Sequence, residues 1–68
     1  MKITVFLERE NKKLSLSIKQ GDTISSIMKK LKINPVAYVS TVNDEIVTEE
    51  YSLKENDKVE ILSVVSGG

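Results

Sequence analysis

The sequence predicts an α+β domain in which a mixed sheet of four to five strands packs on one helix. Three observations carry that expectation. Apolar and polar residues alternate around Ile3-Val5-Leu7 and again around Leu14-Leu16-Ile18, the period-2 signature of half-buried strands. The period then changes, because Ile24, Ile27, Met28 and Leu31 recur at i, i+3, i+4 and i+7, one apolar stripe of a helix. Beyond Pro35, β-branched stretches return and are separated by turn-forming residues.

Taken in order, Lys2 to Glu8 form the first strand, and the polar segment Arg9-Glu10-Asn11-Lys12 turns the chain into the second. Gln20-Gly21-Asp22-Thr23 breaks the alternation. Thr23 or Asp22 can cap the first free amides of the helix, and Ser25 and Ser26 suit its first turn. Lys29, Lys30 and Lys32 lie off the apolar stripe and favour the negative end of the helix dipole. Asn34-Pro35 stops the helix, since proline drives its predecessor out of the α region. Val36 to Val42 reads as the third strand, Asn43-Asp44 as a turn, and Glu45 to Thr48 as a short fourth strand. Leu53 plugs the core beneath a loop that turns at Lys54-Glu55-Asn56-Asp57. Lys58 to Val65 is the last strand, with Val59 and Ile61 pointing inward. Residues 1–65 thus make one domain and 66–68 a tail.

Composition narrows the chemistry. The 68 residues contain no cysteine and no histidine, which removes disulfides, zinc–thiolate sites and the usual general base near neutral pH. No metal site and no bound cofactor is expected. Formal net charge is zero, but residues 1–34 carry eight basic groups against three acidic ones, and residues 35–68 carry two against seven. Such a division hints at an oriented partner surface, although solvated faces are the simpler reading. The three helix lysines have no arginine or aromatic residue beside them, so nucleic acid is not an expected partner. There is no apolar run of the ~20 residues that cross a bilayer and no signal-peptide pattern, so the expectation is a cytoplasmic monomer away from membranes.

The least typical feature is Gly67-Gly68, which follows the last strand with only Ser66 after Val65. Glycine loses the most freedom on ordering and packs no side chain, so two of them after a strand suit a thin stalk better than a core. The candidate for chemistry is the α-carboxylate of Gly68, with Gly67 and Ser66 giving it access. If alternation continues, Leu62 and Val64 face away from Val59 and Ile61, and they can join Val39 or Thr41 in an exposed apolar patch. Val65 lies beside them. Phe6, outward on the first strand, extends this patch or lies under the tail.

The order of elements, Gly21-Asp22-Thr23-Ile24, Val42-Asn43-Asp44-Glu45-Ile46-Val47, Asn56-Asp57-Lys58-Val59-Glu60-Ile61 and the ending Val64-Val65-Ser66-Gly67-Gly68 together resemble the ubiquitin-like sulfur carriers. These are the ThiS and MoaD proteins and the small archaeal modifier proteins, all β-grasp (ubiquitin-like) domains. MoaD proteins usually carry prolines ahead of the final glycines and many ThiS proteins end in Ala-Gly-Gly. Here Leu62-Ser63-Val64 and Ser66 stand at those places, and the region around Ile33-Asn34-Pro35 looks most like the archaeal type.

The resemblance implies a carrier and not an enzyme. An E1-like adenylating enzyme would use ATP to activate Gly68, and sulfur would then displace AMP to leave a thiocarboxylate. A sulfur-acceptor synthase or thiolation enzyme would take the sulfur for thiamine, molybdopterin or tRNA. The alternatives are a ubiquitin-like modifier joined through Gly68 to target-protein lysines, and a plain β-grasp binding module.

Overall fold

The computed structural model describes residues 1–63. Five strands, β1 (Lys2–Leu7), β2 (Lys12–Ser17), β3 (Tyr38–Val42), β4 (Glu45–Val47) and β5 (Lys58–Ser63), form one sheet in the order β2-β1-β5-β3-β4. β1 and β5 run parallel, and the other neighbours are antiparallel. A single helix, α1 (Ile24–Lys30), covers one face. This mixed five-stranded sheet with its helix is the β-grasp arrangement that the resemblance implied, within the four to five strands expected from the sequence.

The alternation in β1 and β5 becomes burial directly. Ile3, Val5, Val59 and Ile61 are at most 1% exposed, and α1 adds Ile24, Ile27 and Met28 from above. Each such aliphatic side chain is worth ~1.5–3 kcal/mol when withdrawn from water. Leu53 is buried and reaches this core from the long β4–β5 connection, as its plug-like position in the sequence suggested. Leu14 and Leu16 pair with Val5 and Ile3 but stay half-buried, because β2 is an edge strand.

Tight turns set the register. Between β1 and β2 a 3-10 turn over Glu8–Glu10 ends on Asn11 at φ 50°, a left-handed conformation that asparagine tolerates. Asn43 and Asp44 both have positive φ, 51° and 71°, giving the two-residue hairpin whose twist matches its strands. That turn places Val42 opposite Glu45, and therefore Thr41 opposite Ile46.

The helix is closed at both ends. Thr23 is its N-cap, and Thr23 and Ser26 form a reciprocal capping box. Ile24 donates its N–H to the carbonyl of Tyr51 at 3.2 Å, and Ser25 donates to that of Glu49 at 2.9 Å. Asp22 does not cap the helix; its Oδ2 accepts from the Lys19 N–H at 2.9 Å. At the other end, Ile33 donates to Met28 O at 2.8 Å and Lys32 to Lys29 O at 3.2 Å, with Lys32 at φ 58°. This is a Schellman stop carrying a lysine where glycine is commonest.

Two expectations are corrected. The helix ends at this left-handed Lys32, before Asn34-Pro35 is reached. The third strand begins at Tyr38, because Pro35–Ala37 form a 3-10 turn capped by the Asn34 side chain, which accepts from the Val36 N–H at 3.1 Å. Proline fixes φ near the helical value, and this outweighs the β-propensity of Val36.

Candidate functional site

β5 lies at the middle of the sheet, hydrogen-bonded on both sides, and its last described residue is Ser63. The C-terminal segment thus follows in sequence from the central strand of the sheet. Val64, Val65, Ser66, Gly67 and Gly68, all expected to belong to the site, lie outside the described residues.

The face of the sheet turned away from α1 is built by register. Phe6 of β1 stands opposite Glu60 of β5, Glu60 opposite Thr41 of β3, and Thr41 opposite Ile46 of β4. One step towards the C-terminal end of β5, Leu62 stands opposite Val39. The structure thus brings Phe6, Val39, Thr41 and Leu62 onto one surface, as the alternation suggested. Phe6, Val39 and Leu62 are half-buried.

Thr41 differs from its expected exposure. It is 8% exposed, hemmed in by its neighbours on β4 and β5, and its hydroxyl donates to Glu60 Oε1 at 3.3 Å. It supports the surface more than it presents one. Two residues that the sequence pattern did not single out take its place. Ile46 is 78% exposed at the β4 end of the row, and Glu60 sits half-buried in its middle. Both follow from the Asn43-Asp44 turn and the β1–β5 register, a signal present in the sequence only once strand pairing is known.

A shallow depression of about 500 Å³ opens on this face, lined by Thr4, Phe6, Lys13, Asn43, Asp44, Lys58, Val59 and Glu60. It lies by the start of β5, away from the end that leads to Gly68. The surface combines the half-buried Phe6, Val39 and Leu62 and the exposed Ile46 with this shallow hollow.

Behind β5, a buried carboxylate fixes the strand's entry. Asp57 Oδ1 accepts from Asn43 Nδ2 at 3.2 Å, and its Oδ2 accepts from the Lys54 N–H at 2.8 Å and the Tyr51 hydroxyl at 3.4 Å. Asn43 Oδ1 in turn accepts the Lys58 N–H at 3.2 Å. Desolvation, and then the charge and hydrogen bond of Asp57, push the Tyr51 phenol above its ordinary range.

The lysines of α1 stay on its solvent side: Lys29 and Lys30 are exposed, and Lys30 Nζ reaches the Ser17 carbonyl at 3.5 Å. The amides at the start of α1 already have protein acceptors, so this helix end has no free donors to offer a phosphate. Among the described residues, no three His, Cys, Asp or Glu side chains are grouped to hold a metal ion. No helix there is long and apolar enough to cross a membrane.

Comparison with known proteins gives concordant matches. The model of the ThiS family matches residues 4–68. The sulfur carrier protein TtuB of Thermus thermophilus is 30% identical over 53 residues, 78% of this chain and 82% of the relative. Among solved structures, a ubiquitin of Caldiarchaeum subterraneum superposes with a TM-score of 0.76 at 18% identity, covering 100% of this chain and 98% of that one. SAMP1 of Haloferax volcanii gives 0.76 at 13% identity, with both chains fully covered. These two structural likenesses establish the ubiquitin-like fold.

Proposed function

Because the chain belongs to the ThiS family, we propose that it is a sulfur carrier whose cargo rides on the C-terminal carboxylate of Gly68. The observation that carries this reading is the family match through residue 68, which includes Gly67-Gly68, together with the likeness to a carrier of sulfur. The absence of cysteine fits it as well, since no side chain of this protein can hold a persulfide.

A carboxylate with an α-carboxyl pKa of ~3.5 is ionised near neutrality and is a poor electrophile. In the proposed sequence a Gly68 carboxylate oxygen attacks the α-phosphorus of ATP on an E1-like enzyme, and pyrophosphate leaves. The product is an acyl adenylate. Hydrosulfide then attacks the acyl carbon, AMP departs with the electron pair of the acyl C–O bond, and loss of the sulfur-borne proton to solvent leaves a thiocarboxylate. A cysteine thiolate of the partner attacking the same carbon gives a thioester instead. The protein contributes a carrier and a docking face, and the partner contributes the catalytic groups.

The docking face is the outer sheet surface around Phe6, Val39, Leu62 and Ile46, and Val64 and Val65, next in sequence after Ser63, are assigned to the same contact. Gly67 and Gly68 serve access: a Cβ at either position would widen the chain and restrict its φ and ψ in a channel narrow enough to exclude water.

Adenylation tests this reading. Gly68→Phe should abolish AMP-forming activation by the adenylating enzyme of the same organism while leaving the thermal unfolding of the domain unchanged. Undiminished activation of the Gly68→Phe variant would refute the assignment.

A further inference from the structure

The identity of one partner side chain can be read from the charge at the centre of the docking face, an inference that rests on that face being the one used. The row is apolar at Phe6 and Ile46, and Leu62 and Val39 follow it, yet its middle position is a carboxylate. Glu60 is half-buried between Phe6 and Thr41. Among the described residues Thr41 is its one hydrogen-bond donor, at 3.3 Å on Oε1. Glu60 and Phe6 share the wall of the depression. Its other charged lining residues, Lys13, Asp44 and Lys58, are exposed.

Exposed charges at a rim keep their water when a partner docks and contribute little either way. Glu60 differs, because a partner seated on Phe6 and Leu62 strips the remaining water from a carboxylate that is already half-buried. An ionised carboxylate tolerates this only when a cation or several donors replace the water, and one hydroxyl is too little. The adjacent ring of Phe6 narrows the choice. A guanidinium can fork its planar N–H groups onto a carboxylate and lay its face on an aromatic ring, whereas an ammonium is more strongly hydrated and does neither.

We propose that the adenylating enzyme docks an arginine into this depression, its guanidinium forked on Glu60 and stacked on Phe6. Phe6 shields one side of the pair and the docked partner covers the rest, so the charged contact at Glu60 is desolvated while Lys13, Asp44 and Lys58 keep their water. The same contact selects partners, since a protein lacking the cation would leave Glu60 buried and unpaired.

The test is calorimetric titration of the adenylating enzyme of the same organism with the full chain and with Glu60→Gln, Glu60→Lys and Leu62→Ala, each first confirmed to unfold like the parent. The expected result is a Kd about 10-fold or more weaker for Glu60→Gln, weaker still for Glu60→Lys, and a flatter salt dependence for Glu60→Gln. Leu62→Ala should weaken binding but keep the parent's salt dependence. If both Glu60 variants bind like the parent while Leu62→Ala binds less well, the arginine is overturned and the docking face stands. If none of the three changes Kd, the docking face itself is wrong, and the arginine falls with it.

Discussion

Asn43 donates its side-chain N–H to Oδ1 of Asp57 at 3.2 Å, joining the β3–β4 turn to the loop that feeds β5. Neighbouring bonds reinforce the link: the Asn43 N–H donates to the Lys58 carbonyl at 2.9 Å, its Oδ1 accepts the Lys58 N–H at 3.2 Å, and Thr4 of β1 donates to the Asp57 carbonyl at 3.1 Å. The entry to β5 is thereby tied to the strands on both of its sides. β5 starts from a polar clamp, while Val59 and Ile61 hold its middle by burial.

Asp57→Ala removes an acceptor of three hydrogen bonds and leaves the Asn43 amide and the Lys54 N–H without their partner. Asn43 and Lys54 are exposed enough for water to reach the freed donors, so each lost bond costs nearer the net ~0.5–1.5 kcal/mol, and a total loss of about 1–3 kcal/mol is expected. Chemical denaturation measures it, and a loss below about 1 kcal/mol would show that water replaces the carboxylate freely.

Alkaline pH acts on the same clamp through Tyr51. Its phenol is raised in the fold, by burial first and by Asp57 next. Below the unfolded value of ~10 both states carry the proton, and the neutral phenol's contribution to stability is complete. As pH climbs from there through the folded value, the unfolded chain ionises first and stability falls. Tyr51→Phe removes that part of the slope, so its denaturation midpoint should decline less than the parent's as pH rises above about 10. Parallel declines would contradict the coupling.

Lys32 stops α1 at φ 58° with a side chain that disfavours the left-handed region. Lys32→Gly keeps the Schellman bonds to Met28 and Lys29 and removes the Cβ clash, for an expected gain of ~0.5–1 kcal/mol after the greater freedom of the unfolded glycine is counted. Thermal unfolding reads this as a higher Tm. A lower Tm would mean that the lysine contributes more at the helix terminus than its backbone costs.

Periodicity made most of this architecture legible. Ile3-Val5-Leu7, the Ile24–Leu31 stripe and Val59-Ile61 are patterns that only a buried face explains, and Leu53 stood out as an apolar residue in a polar loop. Where local chemistry competed with pattern, pattern misled: Pro35 drew Val36 and Ala37 into a 3-10 turn despite the β-branched run that follows. The Asp57 clamp was not legible in the sequence, because it is closed by Asn43 from the β3–β4 turn, although Tyr51 and Lys54 come from the same connection as Asp57. Of the site, the outward placement of Phe6 and Leu62 was visible by alternation, whereas Val39 was a candidate that only the β3–β5 register placed beside Leu62. The burial of Thr41 and the places of Glu60 and Ile46 depend on strand neighbours that alternation alone does not supply.

The central claim concerns one atom, a carboxylate oxygen of Gly68. Intact-mass measurement of the full chain after incubation with the adenylating enzyme, ATP and a sulfide donor tests it most directly. The predicted result is a mass gain equal to one oxygen replaced by sulfur, localised by fragmentation to Gly68 and absent when ATP is withheld. An unchanged mass under conditions where the enzyme demonstrably forms the Gly68 adenylate would contradict the carrier reading, and a lysine-linked adduct in its place would identify the protein as a modifier.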